Sequence, residues 1–205
     1  QSEHPKMTGL MYPTLQALDE QYLGVDVQTG GIDQRKLFMH ARNIMPQLGY
    51  KKRMYLMNKM ISGLRTTKQE PKEGENIQDH KMSSSNKDSK IDLLDSKNQL
   101  KVKIGKSYCL SGDINDNCLL EMLENLVFPI LNIKGLNFVI DRKEEYGGNI
   151  TYTTIDDVKN DFKSEKLHPM DLKQGMTNNL DMILDPIRKT FETSEMKKLI
   201  KLAYS

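Results

Sequence analysis

From Met7 to Leu23 apolar residues recur at helical intervals, at Leu10, Met11, Leu15, Leu18 and Tyr22, and Thr8 is available as a cap. Val25-Asp26-Val27-Gln28 follows as a short buried strand. A Gly30-Gly31 turn then opens a second helix, from about Ile32 to Pro46, that places Leu37, Phe38 and Ala41 inward and leaves Arg35, Lys36 and Arg42 wet. Arg53-Met54-Tyr55-Leu56-Met57 reads as another strand. Helix, strand, helix, strand is the rhythm of part of an α/β doubly wound, Rossmann-like sheet. Residues 65–80 are polar with almost no apolar positions, so they cannot bury a core and read as a flexible loop.

After Asp95 the pattern turns helical. Leu119, Leu120, Met122, Leu123 and Leu126 mark a strongly apolar helix, and Phe138-Val139-Ile140 and Thr151-Tyr152-Thr153 read as short strands. Leu172, Met176, Leu180, Ile183, Leu184, Ile187 and Phe191 form one long amphipathic stripe. This second domain is mostly helical. No internal repeat appears.

Composition narrows the class without naming a partner. The 205 residues are 37% hydrophobic and 28% charged, enough for a real core under a wet surface. A formal net charge of +2 does not announce nucleic acid, so any RNA surface must be a local cluster such as Lys51-Lys52-Arg53 or residues 101–106. Cys109 and Cys118 lack metal-ligand spacing and read as reduced thiols, with neither disulfide nor zinc expected. No apolar run approaches the ~18 residues of a membrane span, and Gln1-Ser2-Glu3-His4-Pro5 is not a basic-then-apolar signal. Cytoplasm is the default.

Two segments carry candidate chemistry. Lys81-Met82-Ser83-Ser84-Ser85 describes a mobile cationic phosphate clamp, and Gly30-Gly31-Ile32-Asp33-Gln34-Arg35-Lys36 a glycine turn whose backbone can approach a ribose or phosphate while Asp33 accepts ribose hydroxyls. Together they read as ATP chemistry. Tyr12, Gln16 and Asp19, at i, i+4 and i+7, put a phenol, an amide and a carboxylate on one helix face that could bind an amino acid. An ordinary solvated face has the same spacing. His168 before Pro169 can equally be a helix cap, and Asp171 a first-turn carboxylate that suits the helix dipole.

These segments occur in family order with Tyr12 through Glu20, Lys90 through Asp95, Tyr146-Gly147-Gly148-Asn149, His168 through Lys173 and Asp185 through Lys189. The whole set resembles the class I tyrosyl-tRNA synthetases of the eukaryotic cytosolic and archaeal type, over nearly all of the chain. The resemblance implies residues 1–95 as the second part of the nucleotide- and tyrosine-binding catalytic domain, and 96–205 as an anticodon-binding domain. The family's His-x-Gly-His signature is not supplied by His4, His40, His80 or His168, so the amino-terminal half is expected to be absent. Residues 65–80 would then be an insertion ahead of the signature loop.

By the same resemblance Tyr12, Gln16 and Gln34 would hold the ammonium and backbone end of tyrosine, and Asp19 would meet its phenol. Gly30, Gly31 and Asp33 would hold the adenylate ribose. Met60 and Ile61 would pack on adenine beside Met82, although Lys59 and Ser62 stand where prolines are usual. Lys81, Ser83, Ser84 and Ser85 would stabilise the leaving pyrophosphate. Tyr146, His168 and Asp171 would grip the first anticodon base; Lys173 and Arg188 suit phosphate or solvent contacts better than base reading and stay unassigned. The implied partners are tyrosine, ATP with Mg2+, tRNA(Tyr) and, for a full-length protein, a second copy. A noncatalytic RNA-binding or interaction module derived from such an enzyme is the alternative, and the Tyr12, Gln16, Asp19 arrangement argues against a tryptophanyl enzyme.

Overall fold

The computed structural model describes residues 6–64, 89–115 and 117–203. The clamp residues Lys81, Met82, Ser83, Ser84 and Ser85, and the 65–80 segment, lie outside them. The chain divides into two compact units between Met60 and Ile61, ahead of the boundary after Asp95 that the sequence suggests.

In the first unit, α1 (Met7–Tyr22) is followed by β1 (Val27–Gly31), a 3-10 turn (Ile32–Gln34), α2 (Arg35–Ile44), a second 3-10 turn (Met45–Leu48) and β2 (Met54–Asn58). β1 and β2 pair in parallel, Val27 opposite Met54 through Gly31 opposite Asn58. Parallel neighbours require a crossover, and α2 supplies it. The expected α/β unit is therefore present, with four local differences. Lys6, not Thr8, occupies the N-cap of α1, and makes no side-chain cap bond. β1 starts two residues later than Val25 and takes in both glycines, which pair with Met57 and Asn58. The glycines thus end a strand instead of forming a turn. The helix expected to Pro46 breaks at Met45, because proline favours the first turn of a new segment.

The fourth difference is burial. Ala17, Ala41 and Met45 form a small core with Leu18, Ile44 and Tyr55 packed against it. By contrast Met11, Leu15 and Tyr22 are exposed on α1, as are Val27 on β1 and Met54 and Leu56 on one face of β2. Two strands have helices for only one face, so alternate residues stay uncovered. The strand expected to be buried is half exposed.

The second unit has its own larger core. Its elements are α3 (Lys97–Lys106), α4 (Cys118–Met122), a π turn (Leu123–Val127), α5 (Phe128–Lys134), β3 (Phe138–Ile140), a 3-10 turn (Glu144–Tyr146), β4 (Ile150–Tyr152), α6 (Ile155–Lys163), α7 (Pro169–Phe191) and α8 (Ser194–Ala203). Ser96 and Gln99 close a capping box on α3, satisfying two otherwise orphaned N–H groups. The apolar helix expected around Leu119 is interrupted by the π turn just before Pro129, whose missing N–H cannot continue the hydrogen-bond ladder. Leu119, Leu120, Met122 and Leu123 are buried, but Leu126 is partly exposed.

α7 carries the amphipathic stripe as one helix and packs against β3 of the antiparallel β3–β4 pair. A Cβ at Gly175 would sit 2.7 Å from Ile140 Cγ1, so helix and strand approach closely only because that position has no side chain. Asn179 Nδ2 donates to Val139 O at 3.0 Å and Gln174 Nε2 to Asp141 O at 2.9 Å, tying α7 to the strand edge. The segment ahead of α3 is anchored by Asp95, 5% exposed, which accepts from Lys103 Nζ at 2.6 Å and from its own turn at Asp92 N. Arg188 Nη1 donates to Asp95 O at 2.8 Å, and the same guanidinium ion-pairs with Asp181. Arg188, to which the sequence assigns no role, is thus a structural clamp. Cys109 and Cys118 are not joined in a disulfide, and Cys109 Sγ accepts from Asn117 Nδ2 at 3.4 Å.

Candidate functional site

The first candidate site is built around the end of β1. Gln16, on the half-buried side of α1, donates Nε2 to Gln34 Oε1 at 3.3 Å, and Gln34 Nε2 donates to Asp33 Oδ2 at 3.2 Å. An amide, a second amide and a carboxylate thus form one chain from α1 to the 3-10 turn that follows the glycines. Each has hydrogen-bonding capacity left for a ligand. A Cβ on Gly31 would collide with the Asp33 carboxylate, which would have to swing aside, and would make an ordinary 3.7 Å contact with Met60 Cγ. Gly30 faces the Phe38 ring, whose Cζ lies 2.8 Å from the place of a Cβ. The structure therefore brings Gln16, Gln34, Asp33, Gly31 and Met60 together.

Tyr12 and Asp19 share α1 with Gln16 but are exposed, and nothing described in the first unit covers them. An acceptor shielded from water, as the sequence suggests for Asp19, is not formed within this unit. Ile61, paired with Met60 in the sequence reading, packs against the core of the second unit.

A pairing of the buried Glu20 with the half-buried Tyr55 was not apparent from the sequence. Glu20 is 1% exposed and takes the Tyr55 hydroxyl between its two oxygens, at 2.8 and 3.0 Å. Burial, then the hydrogen bond to this carboxylate, pushes the Tyr55 phenol well above its ordinary value. Tyr55 in turn stacks on Phe38 with ring centroids 4.9 Å apart. α1 is thereby linked through two rings to Gly30. A Tyr55→Phe substitution leaves the buried carboxylate with one donor, Gln21 Nε2 at 3.1 Å, in place of two, and should lower stability by about 1–2 kcal/mol, read as a fall in the urea midpoint. An unchanged midpoint would show that water replaces the phenol.

The second candidate site lies in the second unit, in a pocket of about 380 Å³ lined by Asp141, Arg142, Lys143, Tyr146, Asp171 and Gln174. Tyr146 ends its 3-10 turn and is followed by Gly147 and Gly148 with φ of 94° and 71°, left-handed values that suit residues without a Cβ. That reversal leaves the phenol ring 62% exposed at the rim. Asp171 stands in the first turn of α7 and is 3.4 Å from Arg142 Nε. That contact lacks hydrogen-bond geometry, and Arg142 Nε is a buried donor with no hydrogen-bond partner among the described atoms. The carboxylate therefore keeps acceptor capacity, and a guanidinium stands beside it. His168 does not line the pocket. Its Nδ1 accepts from Met170 N at 3.1 Å, which makes it the N-cap of α7.

Of the expected trio, Tyr146 and Asp171 thus come together while the His168 ring caps the helix. Sequence reasoning missed Gln174 and Arg142. Gln174 is three residues beyond Asp171 on the same helix face, a spacing that could have found it. Arg142 sits in a connecting loop and had no such signal.

The profile of the class I tRNA synthetases (W and Y) matches residues 1–185. The chain belongs to this family. It is 46% identical over 204 residues to the cytoplasmic tyrosine–tRNA ligase of Gallus gallus, covering all of this synthetase chain and 36% of that protein. The cytoplasmic tyrosine–tRNA ligase of Saccharomyces cerevisiae is 44% identical over 95% of the chain and 48% of its own length. Among solved structures, the tyrosyl-tRNA synthetase of Archaeoglobus fulgidus in complex with L-tyrosine superposes with a TM-score of 0.74 at 35% identity, over 92% of this chain and 54% of that one. The Pyrococcus horikoshii enzyme, also with L-tyrosine, gives 0.77 at 30% identity, over 93% and 54%. The chain thus spans about a third to a half of the length of these relatives. No helix among the described residues is long and apolar enough to cross a membrane.

Proposed function

We propose that this synthetase chain supplies part of the tyrosine and ATP site, and the anticodon-reading domain, of a cytoplasmic tyrosine–tRNA ligase. The observation that carries the reading is the hydrogen-bonded chain Gln16, Gln34, Asp33 at the glycine end of β1. In this reading the two amides orient the ammonium and carboxylate of tyrosine, and Tyr12 closes that end. Asp33 and the bare glycine backbone hold the adenylate ribose, and Met60 borders the adenine.

The tyrosine carboxylate attacks the α-phosphate of ATP, the bond to pyrophosphate breaks, and tyrosyl-adenylate forms. Mg2+ enters with ATP as the metal complex of that substrate. Lys81, with Ser83, Ser84 and Ser85, neutralises charge on the departing pyrophosphate. The terminal ribose hydroxyl of tRNA(Tyr) then takes the tyrosyl group and AMP leaves. Tyr146 and Asp171 read an anticodon base by stacking and by accepting from its edge, with His168 positioning the start of α7. A second copy completes the assembly. The exposed apolar residues of α1, β1 and β2 are the surface on which the rest of the catalytic domain packs.

Tyrosine-dependent pyrophosphate exchange tests the reading, measured on the natural polypeptide that contains these residues and on the 205-residue chain. Exchange is expected from the former and a negligible rate from the latter. Gly31→Val in the natural polypeptide should lower kcat/KM for ATP by about 10²-fold, because a side chain there displaces the Asp33 carboxylate and holds the ribose away. Native-like exchange by the 205-residue chain would overturn the partial-site reading.

The second reading, a noncatalytic RNA-binding module, is favoured by one observation. The Tyr146 and Asp171 pocket belongs wholly to the second unit, which has its own core. Absence of exchange from the natural polypeptide, with tRNA still bound, would select it.

A further inference from the structure

Beside the base pocket, α3 and α7 enclose a groove of about 420 Å³ that the residues assigned above do not use. Lys97 and Lys101, one helical turn apart on α3, face Lys173 across it, and Gln174, Thr177 and Asn178 continue the α7 wall. None of the described lining residues is acidic. The nearest charged check is Asp181, whose Oδ2 is 3.8 Å from Lys97 Nζ with the lysine side chain 60% exposed. That contact is too long and too wet to hold the ammonium. Lys173 Nζ donates to Gly105 O at 2.9 Å, which uses one of its three protons and fixes the ammonium at the groove wall.

Gln174 lines both this groove and the pocket of Tyr146 and Asp171. The two concavities are therefore neighbours along α7, with Gln174 as their shared wall. From Asp171 to Asn178 the helix rises about 10 Å, at 1.5 Å per residue. One single-stranded nucleotide run can place a base at Tyr146 and its flanking phosphates over the lysines.

We propose that the Lys97, Lys101, Lys173 groove binds the sugar-phosphate backbone that flanks the base held at Tyr146 and Asp171. This rests on the RNA reading above and adds a separate, sequence-independent element to it. The whole chain carries a net charge of only +2, so the groove supplies a local cationic surface that overall composition hides. Lysine ammoniums on flexible stems suit phosphates as point charges and do not read bases.

The test is fluorescence anisotropy of the 205-residue chain with short RNA hairpins differing only in the loop bases, across a salt series. Lys97→Ala with Lys101→Ala should reduce the slope of log affinity against log salt by about 1.4–1.8, at 0.7–0.9 per lost phosphate contact. Affinity should fall equally for every loop sequence. Tyr146→Ala should instead erase the preference among loops and leave the slope unchanged. Lys101→Glu, an exposed charge reversal, gives the same directional result independently of the double variant, and thermal melting confirms that both fold.

An unchanged slope in folded lysine variants would overturn the groove assignment, whatever Tyr146→Ala does. A reduced slope with no loop preference in the parent chain would uphold the groove and defeat the base reading. If the hairpins do not bind while polyglutamate does, and the lysine variants abolish it, the groove serves an acidic protein and the proposal fails.

Discussion

Asp19→Ala, made in the natural polypeptide that carries these residues, is expected to lower the preference for tyrosine over phenylalanine from ~10⁴ or more to about 10² or less. The measurement is kcat/KM for each amino acid in pyrophosphate exchange. A carboxylate that waits for a phenol in a water-free site is left unpaired by phenylalanine, and that penalty supplies the discrimination. Removing the carboxylate leaves an apolar slot that distinguishes the two rings poorly. The same physics says where discrimination must be absent. Within the first unit Asp19 is exposed, so water can replace the missing hydroxyl at little cost. The 205-residue chain should therefore show little difference between the two amino acids in any residual binding. Unchanged selectivity in Asp19→Ala would move phenol recognition to another residue.

Lys81→Ala in the same polypeptide should lower the rate of tyrosyl-adenylate formation by about 10²–10³, the usual loss when one donor to developing negative charge is removed. Single-turnover formation of the adenylate separates this from binding. Charge on the departing pyrophosphate grows along the reaction, so kcat should carry the loss while the equilibrium affinity for tyrosine stays the same. Lys81→Arg should recover part of the rate, because it restores the charge with different geometry. Equal loss in tyrosine affinity would assign Lys81 to ground-state binding instead.

The elements were more legible than their surroundings. Period-3.6 stripes at Leu15 and Leu18, and from Leu172 to Phe191, are local properties of the chain, and the helices expected there form. The strands around Tyr55 and Val139 were likewise legible from short apolar runs. Burial was not. Met11 and Leu15 have the spacing of a core-facing stripe yet stay exposed, whereas Glu20 on the same helix is buried. Spacing says which side chains share a face, but only packing says what meets that face. Gln34 and Asp33 were recognised through family motifs, while their connection to Gln16 needed the fold to bring residues 16 and 34 within 3.3 Å.

The sequence by itself determined the alternation of helix and strand in the first unit, the helical second unit and membership of the synthetase family, because each is written in local spacing or in ordered motifs. Tertiary structure decided that Arg188 clamps Asp95, that His168 caps α7 instead of lining the pocket of Tyr146 and Asp171, and that Gln174 borders both this pocket and a lysine groove. These depend on distances between residues far apart in the chain. Such distances follow from how close-packed side chains fill space, which the periodicity of a single segment does not encode.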